Sequence, residues 1–341
     1  MGISSRRPHV FTRFVSCLTD NYGRQINYLR LAVTDRCNLR CRYCMPDEGI
    51  PFIPHDQILR FEEMERLVRI FASMGVRKVR LTGGEPFVRK GVVPFIERLG
   101  KVPGIEEIHV TTNGVAASDH LAKLKAVGLS GINLSLDTLD RKRYHRICRR
   151  DLFASVLETL EEALKVGLSL KINTVMLDAS GEEDLLALAE LARTRPVSIR
   201  FIERMPFSGQ GRGCPPVWSA GRMVRLLQQK YSGLSLRLTP RSSTSLLYRL
   251  PGFLGTVGVI GSYSRSFCAH CNKVRITPRG ILKNCLYDDG TLDVRALLRT
   301  GVDDRELVRT LRAAIERKPE HGHAVEGSLE ECTASMATIG G

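Results

Sequence analysis

Six times between residues 28 and 231 the chain pairs a short run of strand-forming residues with a longer stretch whose apolar residues recur at helical spacing. Strands are expected over residues 28–34, 78–82, 105–111, 132–136, 170–175 and 199–205, and helices over 61–74, 92–99, 118–127, 153–166, 182–193 and 220–231. In the first helix Met64, Leu67, Val68 and Phe71 share one face, and Gly75 ends it. Such an alternation predicts an α/β fold built on a parallel sheet, because each strand-to-strand crossover has a helix available to cover the sheet. An incomplete (β/α) barrel and a doubly wound open sheet both satisfy the pattern. Either one places function at the carboxyl ends of the strands, so chemistry-bearing motifs are expected there.

The chain has 341 residues, enough for one or two domains and a sizeable core without disulfides. Apolar residues make up 43% and charged residues 26%, which excludes a disordered or collagen-like chain. The 51 Lys and Arg against 36 Asp and Glu leave a net charge of +15, which suits an anionic partner: nucleic acid, phospholipid or a polyphosphate ligand. No run approaches the roughly 18 apolar residues of a membrane-spanning helix. The first twenty residues lack the apolar core of a secretory signal, and Arg6 occupies the position where a myristoylation motif needs Ser or Thr. A cytoplasmic protein is therefore expected, with no membrane partner and with thiols kept reduced and available to metal.

At about Ser208 the texture changes to a Gly/Pro-rich stretch, SGQGRGCPP, with one helix after it and only short segments beyond, until a helix expected over 303–315 and a polar tail ending in Gly340-Gly341. Residues 1–25 read as an N-terminal extension, 26–235 as the β/α unit and 236–341 as a C-terminal region.

Six of the ten cysteines fall in two groups. Cys37, Cys41 and Cys44 stand as CxxxCxxC directly after the first strand, and Cys268, Cys271 and Cys285 form CxxC with a third cysteine fourteen positions on. Three thiolates on a loop suit a [4Fe–4S] cluster with one iron left open for another ligand. A zinc site would want a fourth ligand, for which Cys17 or His55 could serve the first group and His270 the second. Cys17, Cys148, Cys214 and Cys332 have no partner at ligand spacing and read as structural or surface thiols.

With Tyr43 just before the third cysteine, the first group resembles the cluster loop of the radical S-adenosylmethionine (SAM) enzymes. The likeness continues at later strand ends: Gly83-Gly84-Glu85-Pro86 after the second, Thr111-Thr112-Asn113-Gly114 after the third, and Ser135 with Asp137 at the fourth. The second cysteine group, the FIERMP segment and the terminal Gly-Gly are more specific. They resemble the GTP 3′,8-cyclases, the molybdenum cofactor biosynthesis protein A family, from about Arg24 to the end of the chain.

That resemblance implies an incomplete (β/α)6 TIM-like barrel of the radical SAM type with a C-terminal iron–sulfur domain. It implies two [4Fe–4S] clusters, one on Cys37, Cys41 and Cys44 with SAM and one on Cys268, Cys271 and Cys285 with substrate. Tyr43, Gly84, Ser135 and Met205 would line the SAM site; Arg30, Arg80, Thr111, Lys171, Lys273, Val274 and Arg275 would contact GTP. Arg30, Arg80, Gly340 and Gly341 would act in catalysis. Arg30, Arg80 and Lys171 also interrupt otherwise apolar strands, where a long cation is expensive unless paired with an anion or able to snorkel from the strand face. Lys273 stands where the family often has Arg, which keeps the charge but not bidentate bonding. The implied reaction turns GTP into (8S)-3′,8-cyclo-7,8-dihydroguanosine 5′-triphosphate, with an electron donor, the next enzyme of molybdopterin synthesis as acceptor of the product, and a monomer or homodimer. A peptide-modifying radical SAM enzyme and a zinc-containing nucleic-acid-binding protein are the competing expectations. The basic run over residues 141–150 exceeds what the family requires and reads as a solvated helix face.

Overall fold

The computed structural model describes residues 17–177, 181–207, 215–265, 267–328 and 335–340. Its strands are β1 (Tyr28–Ala32), β2 (Lys78–Thr82), β3 (Glu107–Thr112), β4 (Gly131–Ser135), β5 (Ser169–Met176), β6 (Ser198–Glu203), β7 (Ser235–Arg237), β8 (Leu246–Arg249), β9 (Thr256–Ile260), β10 (Lys273–Ile276), β11 (Ile281–Lys283) and β12 (Leu292–Asp293). Its helices are α1 (Phe61–Ser73), α2 (Val92–Leu99), α3 (Ser118–Ala126), α4 (Arg141–Cys148), α5 (Phe153–Lys165), α6 (Glu182–Thr194), α7 (Ala220–Lys230), α8 (Val294–Arg299), α9 (Asp304–Glu316) and α10 (Met336–Ile339).

The sheet is open, in the order β12-β11-β10-β1-β2-β3-β4-β5-β6-β9-β8-β7. The six strands of the β/α alternation form its centre, and each is parallel to its neighbours. The last third of the chain extends both edges: β10 adds parallel to β1 and β9 adds parallel to β6. Antiparallel strands finish each side.

Alternation along the strands separates two faces. Leu29, Leu31, Val79, Leu81, Ile108, Val110, Ile132, Leu134, Ile172, Ile199 and Phe201 are buried against the helices in one continuous core. Helix α1 shows how that layer forms. Its Met64, Leu67, Val68 and Phe71 are fully buried, and the Glu63 carboxylate accepts the Arg60 N–H at 2.6 Å across the first turn. Gly75, at φ 106°, then lets the chain turn back toward β2.

The other face is polar. Parallel strands are ordinarily apolar on both sides, and a closed barrel is filled by its own side chains. Here the inward positions hold Arg30, Lys78, Arg80, Asn133, Lys171, Asn173 and Arg200, and they enclose a cavity of about 700 Å³. That volume falls within the roughly 300–1,000 Å³ of small-molecule sites.

Candidate active site

The first three-cysteine group lies on the loop that leaves β1. The Leu39 N–H donates to Cys37 Sγ (3.4 Å), and the Asn113 amide at the end of β3 approaches the same sulfur (3.6 Å). Tyr43 anchors the loop by donating its hydroxyl to Asp137 Oδ2 (3.0 Å), while Asp137 Oδ1 accepts the Val175 N–H (2.8 Å). Burial pushes the Asp137 carboxyl up to about 6 despite these bonds. Gly83 and Gly84 pack against the start of the loop. A Cβ at Gly84 would lie 2.2 Å from the Arg36 carbonyl oxygen, and one at Gly83 2.2 Å from that of Thr34. These glycines are therefore required for the loop itself to lie down. Glu85 is fully buried beneath, accepting from Phe87 N–H, Thr112 Oγ1 and Asn113 N–H.

Helix α4 holds the far side of this loop. The N–H groups of Arg40 and Arg42 donate to the carbonyls of Cys148 and Ile147, and the Arg149 guanidinium donates back to the carbonyls of Arg40 and Met45. Arg149 adopts a left-handed conformation (φ 56°), and its side chain also pairs with Asp47. Arg141, Lys142, His145, Arg146 and Arg150 face solvent, as expected of the basic run, whereas Arg143 pairs with buried Asp184. Cys148 is buried next to Cys41.

Burial raises the thiols of Cys37 and Cys44 to about 12, and the neighbouring Cys148 side chain together with burial raises that of Cys41 well above its ordinary value, so metal must displace protons to bind there. Among the described residues no three His, Cys, Asp or Glu side chains converge on one point as the ligands of a single ion must. The thiolates of a four-iron cluster each meet a different corner. A soft three-sulfur set with backbone donors on Cys37 is chemistry that fits such a cluster.

The second group, Cys268, Cys271 and Cys285, lines the cavity itself. Burial disfavours the Cys271 thiolate, but the ammonium groups of Lys318 and Lys273 outweigh it and bring this thiol down to about 7. This set fits an anionic ligand group as well.

Across the cavity floor the strand register sets Arg275, Arg30 and Arg80 side by side, with His109 next to Arg80. The Nε atoms of Arg30, Arg80 and Arg200 are buried without a hydrogen-bond partner. Burial, then Arg200 and Arg80, bring the Lys171 ammonium down to about 7; burial brings Arg200 down to about 10. Lys273 donates to the Ser242 carbonyl (3.0 Å), and burial brings it to about 8. His109 contacts Glu107 through Nε2 (2.8 Å), and burial holds it neutral, down to about 3. So many buried cations with so few counter-charges are unfavourable unless an anion joins them.

The sequence-expected residues divide by place. Arg30, Arg80, Lys171, Met205, Lys273 and Arg275 line the cavity; Thr111 faces the same side with its hydroxyl unpartnered. Val274 turns to the opposite face and is fully buried in the core. Tyr43, Gly84 and Ser135 stand at the strand ends with the first cysteine loop. Met205 also packs with Met336, Cys285 and Tyr287 in a small apolar cluster. The tail enters from α10. Ser335 donates to the Cys44 carbonyl (2.7 Å), and the Gly340 carbonyl accepts from Arg275 (3.1 Å) and Thr82 Oγ1 (3.3 Å). Gly340 has φ +82°, and a Cβ there would lie 2.5 Å from that of Ala32, so a side chain is excluded. Gly341 lies outside the described residues.

Lys78, Asn133, Asn173 and Arg200 were not anticipated. A polar residue inside an apolar strand marked Arg30 and Lys171, and the same signal in GINLS, KINTV and SIRFIE would have found Asn133, Asn173 and Arg200.

Residues 31–192 match the model of the radical SAM superfamily, and residues 197–324 match that of molybdenum cofactor synthesis C. The chain is 42% identical over 333 residues to a GTP 3′,8-cyclase of Pelotomaculum thermopropionicum, covering 95% of this chain and all of that one. It is 40% identical over 325 residues to the GTP 3′,8-cyclase of Moorella thermoacetica, with the same coverage. Human molybdenum cofactor biosynthesis protein 1 is 40% identical over 306 residues, which span 89% of this chain and 48% of that protein. Among solved structures, Streptococcus suis SuiB bound to S-adenosylmethionine superposes with a TM-score of 0.57 at 17% identity, over 84% of this chain and 68% of that one, a likeness of fold. No helix among the described residues is long and apolar enough to cross a membrane.

Proposed function

The chain belongs to the GTP 3′,8-cyclase family of radical SAM enzymes, and from that premise we propose that its cavity binds GTP for conversion to (8S)-3′,8-cyclo-7,8-dihydroguanosine 5′-triphosphate in molybdenum cofactor biosynthesis. The observation that carries the substrate assignment is the set of buried arginines on the strands, Arg30, Arg80 and Arg200, whose Nε–H groups await an acceptor. A triphosphate offers such acceptors in number.

Cys37, Cys41 and Cys44 would hold one [4Fe–4S] cluster and Cys268, Cys271 and Cys285 a second. When bound, the first cluster with SAM supplies a carbon radical able to take a hydrogen atom from the substrate sugar. This chain's own residues do the rest. Tyr43 and Asp137 fix the cluster loop against β4, and Gly84, Ser135 and Met205 are assigned to SAM. Arg30, Arg80, Lys171, Lys273 and Arg275 hold the phosphates, Thr111 offers a hydroxyl, and Val274 contributes backbone. The second cysteine group, on the cavity wall, is placed to hold the base. Orientation of this kind lets a reactive species meet one hydrogen only, and closure by the tail excludes water. Gly340 and Gly341 serve closure: the Gly340 carbonyl already caps Arg275 and Thr82 at the strand ends.

We place the protein in the cytoplasm, as a monomer or homodimer served by an electron donor and passing product to the next enzyme of molybdopterin synthesis. The test is anaerobic incubation of the reconstituted protein with reductant, SAM and GTP. Formation of 5′-deoxyadenosine that depends on GTP is expected; cleavage of SAM indifferent to every nucleotide overturns the assignment.

A further inference from the structure

Strand β4 turns one polar side chain into the cavity between two apolar residues facing the helices. Ile132 and Leu134 are fully buried in the core, while Asn133 is 1% exposed and lines the cavity. Neither Oδ1 nor Nδ2 of Asn133 has a hydrogen-bond partner. A carboxamide buried with both ends unsatisfied is unfavourable, and an apolar side chain of the same shape would cost the fold less. The free protein gains nothing visible from this amide.

The chemistry of the neighbours narrows what it awaits. Arg80, Lys171 and Arg200 are donors only, suited to phosphate oxygens, which accept only. A carboxamide both donates and accepts, and so does a sugar hydroxyl. Register gives the height of Asn133 in the cavity. Its partner on β3 is Thr111, two residues beyond His109, which pairs with Arg80 among the cations. Two residues further along β4 comes Ser135, paired with Asn173, whose Oδ1 is also unpartnered. Thr111 and Asn133 thus lie one step nearer the strand ends that carry the first cysteine loop than the row of Arg275, Arg30 and Arg80, with Lys171 beside Asn133 and Arg200 beside Asn173. In a nucleoside triphosphate the sugar is what separates the phosphates from the remainder.

We infer that Asn133 binds the ribose hydroxyls of the nucleotide, with Asn173 beside it, and so sets both the choice of a ribose over a deoxyribose and the presentation of the sugar carbon that reacts. The inference rests on the GTP reading above and refines it. It is tested by the affinity of the cluster-reconstituted full chain for GTP, 2′-deoxy-GTP and 3′-deoxy-GTP, measured calorimetrically without turnover. The wild type is expected to prefer GTP over at least one deoxy analogue by on the order of tenfold, the worth of one buried hydrogen bond. Asn133→Leu is expected to bind all three alike, to retain iron and SAM binding, and to melt no lower than wild type without nucleotide. Asn133→Ala, which adds no shape of its own, is run in parallel in case leucine disturbs the packing. A variant that keeps the wild-type preference overturns the inference. So does a leucine variant that melts much lower without nucleotide, because the amide is then structural. A wild type that binds GTP and both analogues equally overturns this inference alone, whereas one that binds no guanine nucleotide overturns the GTP reading itself.

Discussion

Arg24 and Arg80 are equally buried, each 8% exposed, and the protein uses them in opposite ways. Arg24 bonds Asp20 at 2.6 Å and donates to the carbonyls of Glu320, Pro319, Cys268 and Lys318, so one guanidinium gathers the end of α9 and the second cysteine loop. Arg80 leaves its Nε–H empty and faces the ring of Tyr28 with further cations around it. Arg89, Arg149, Arg295 and Arg299 follow Arg24: each donates to loop carbonyls. Arg30 and Arg200 follow Arg80. The buried arginines therefore divide between two uses, backbone carbonyls at the loops and the polar cavity inside the sheet. Burial alone does not distinguish a structural arginine from a binding one; the partner does.

The sharpest way to break this division is at Arg24. Arg24→Ala strands a buried Asp20 and several carbonyls, and a loss of about 3–5 kcal/mol of stability is expected by denaturant titration. GTP affinity of the protein that remains folded should fall far less than stability does, because Arg24 reaches the second cysteine loop only through the Cys268 carbonyl. Arg80→Met should do the reverse. It removes one of several mutually repelling cations, so the melting temperature without nucleotide should hold or rise, while GTP affinity falls on the order of a hundredfold. A thermal loss in Arg80→Met as large as that of Arg24→Ala would erase the distinction.

Lys171 sharpens it through pH. In the nucleotide-free protein its ammonium titrates near 7, well below the 10.5 of a free lysine, because of burial and then Arg200 and Arg80. Between those values the unfolded chain holds a proton that the folded protein lacks, so the contribution of Lys171 to stability rises with pH through that window and is lost as pH falls toward 7. A bound triphosphate restores the proton. GTP affinity should weaken by up to about tenfold per pH unit above 7, and Lys171→Met should flatten that slope in calorimetric titrations. Smaller effects are expected at the loops. Arg149→Ala removes two carbonyl contacts from the first cysteine loop, for roughly 1–2 kcal/mol, and faster iron loss on dilution into chelator is the expected readout. Ser335→Ala removes the N-cap of α10 for about 1 kcal/mol; exchange of the tail amides should quicken with iron content intact.

The sheet centre was legible because the period of two along each strand and the period of 3.6 along each helix are written directly in apolar residues. All seven expected helices, at 61–74, 92–99, 118–127, 153–166, 182–193, 220–231 and 303–315, lie within one residue of the observed spans at each end. The short strands β7 to β12 were not legible, since two to five residues carry too little periodicity, and β9 and β10 also pair with β6 and β1 far earlier in sequence. Helix α4 was hidden for another reason. Its apolar face is only Tyr144, Ile147 and Cys148, and its use is to hold a loop a hundred residues earlier. In the site, cysteine spacing and the cations in apolar strands were readable. Asn133 and Asn173 passed as ordinary strand residues because a carboxamide reveals its purpose only when its lack of partners is seen.

The two ends of the parallel sheet have a consequence for how the molecule is made. β9 and β10 close the flanks of β6 and β1, yet β10 reaches the ribosome exit some 240 residues after the β1 it must pair with. Until then the nascent six-stranded unit presents two unpaired edges and an interior crowded with like charges, a form open to wrong pairing. Pairing over so long a separation is slow, because loop closure precedes any gain from contact. A chain stopped after α7 would therefore be a sheet without sides, inclined to seek them in another copy.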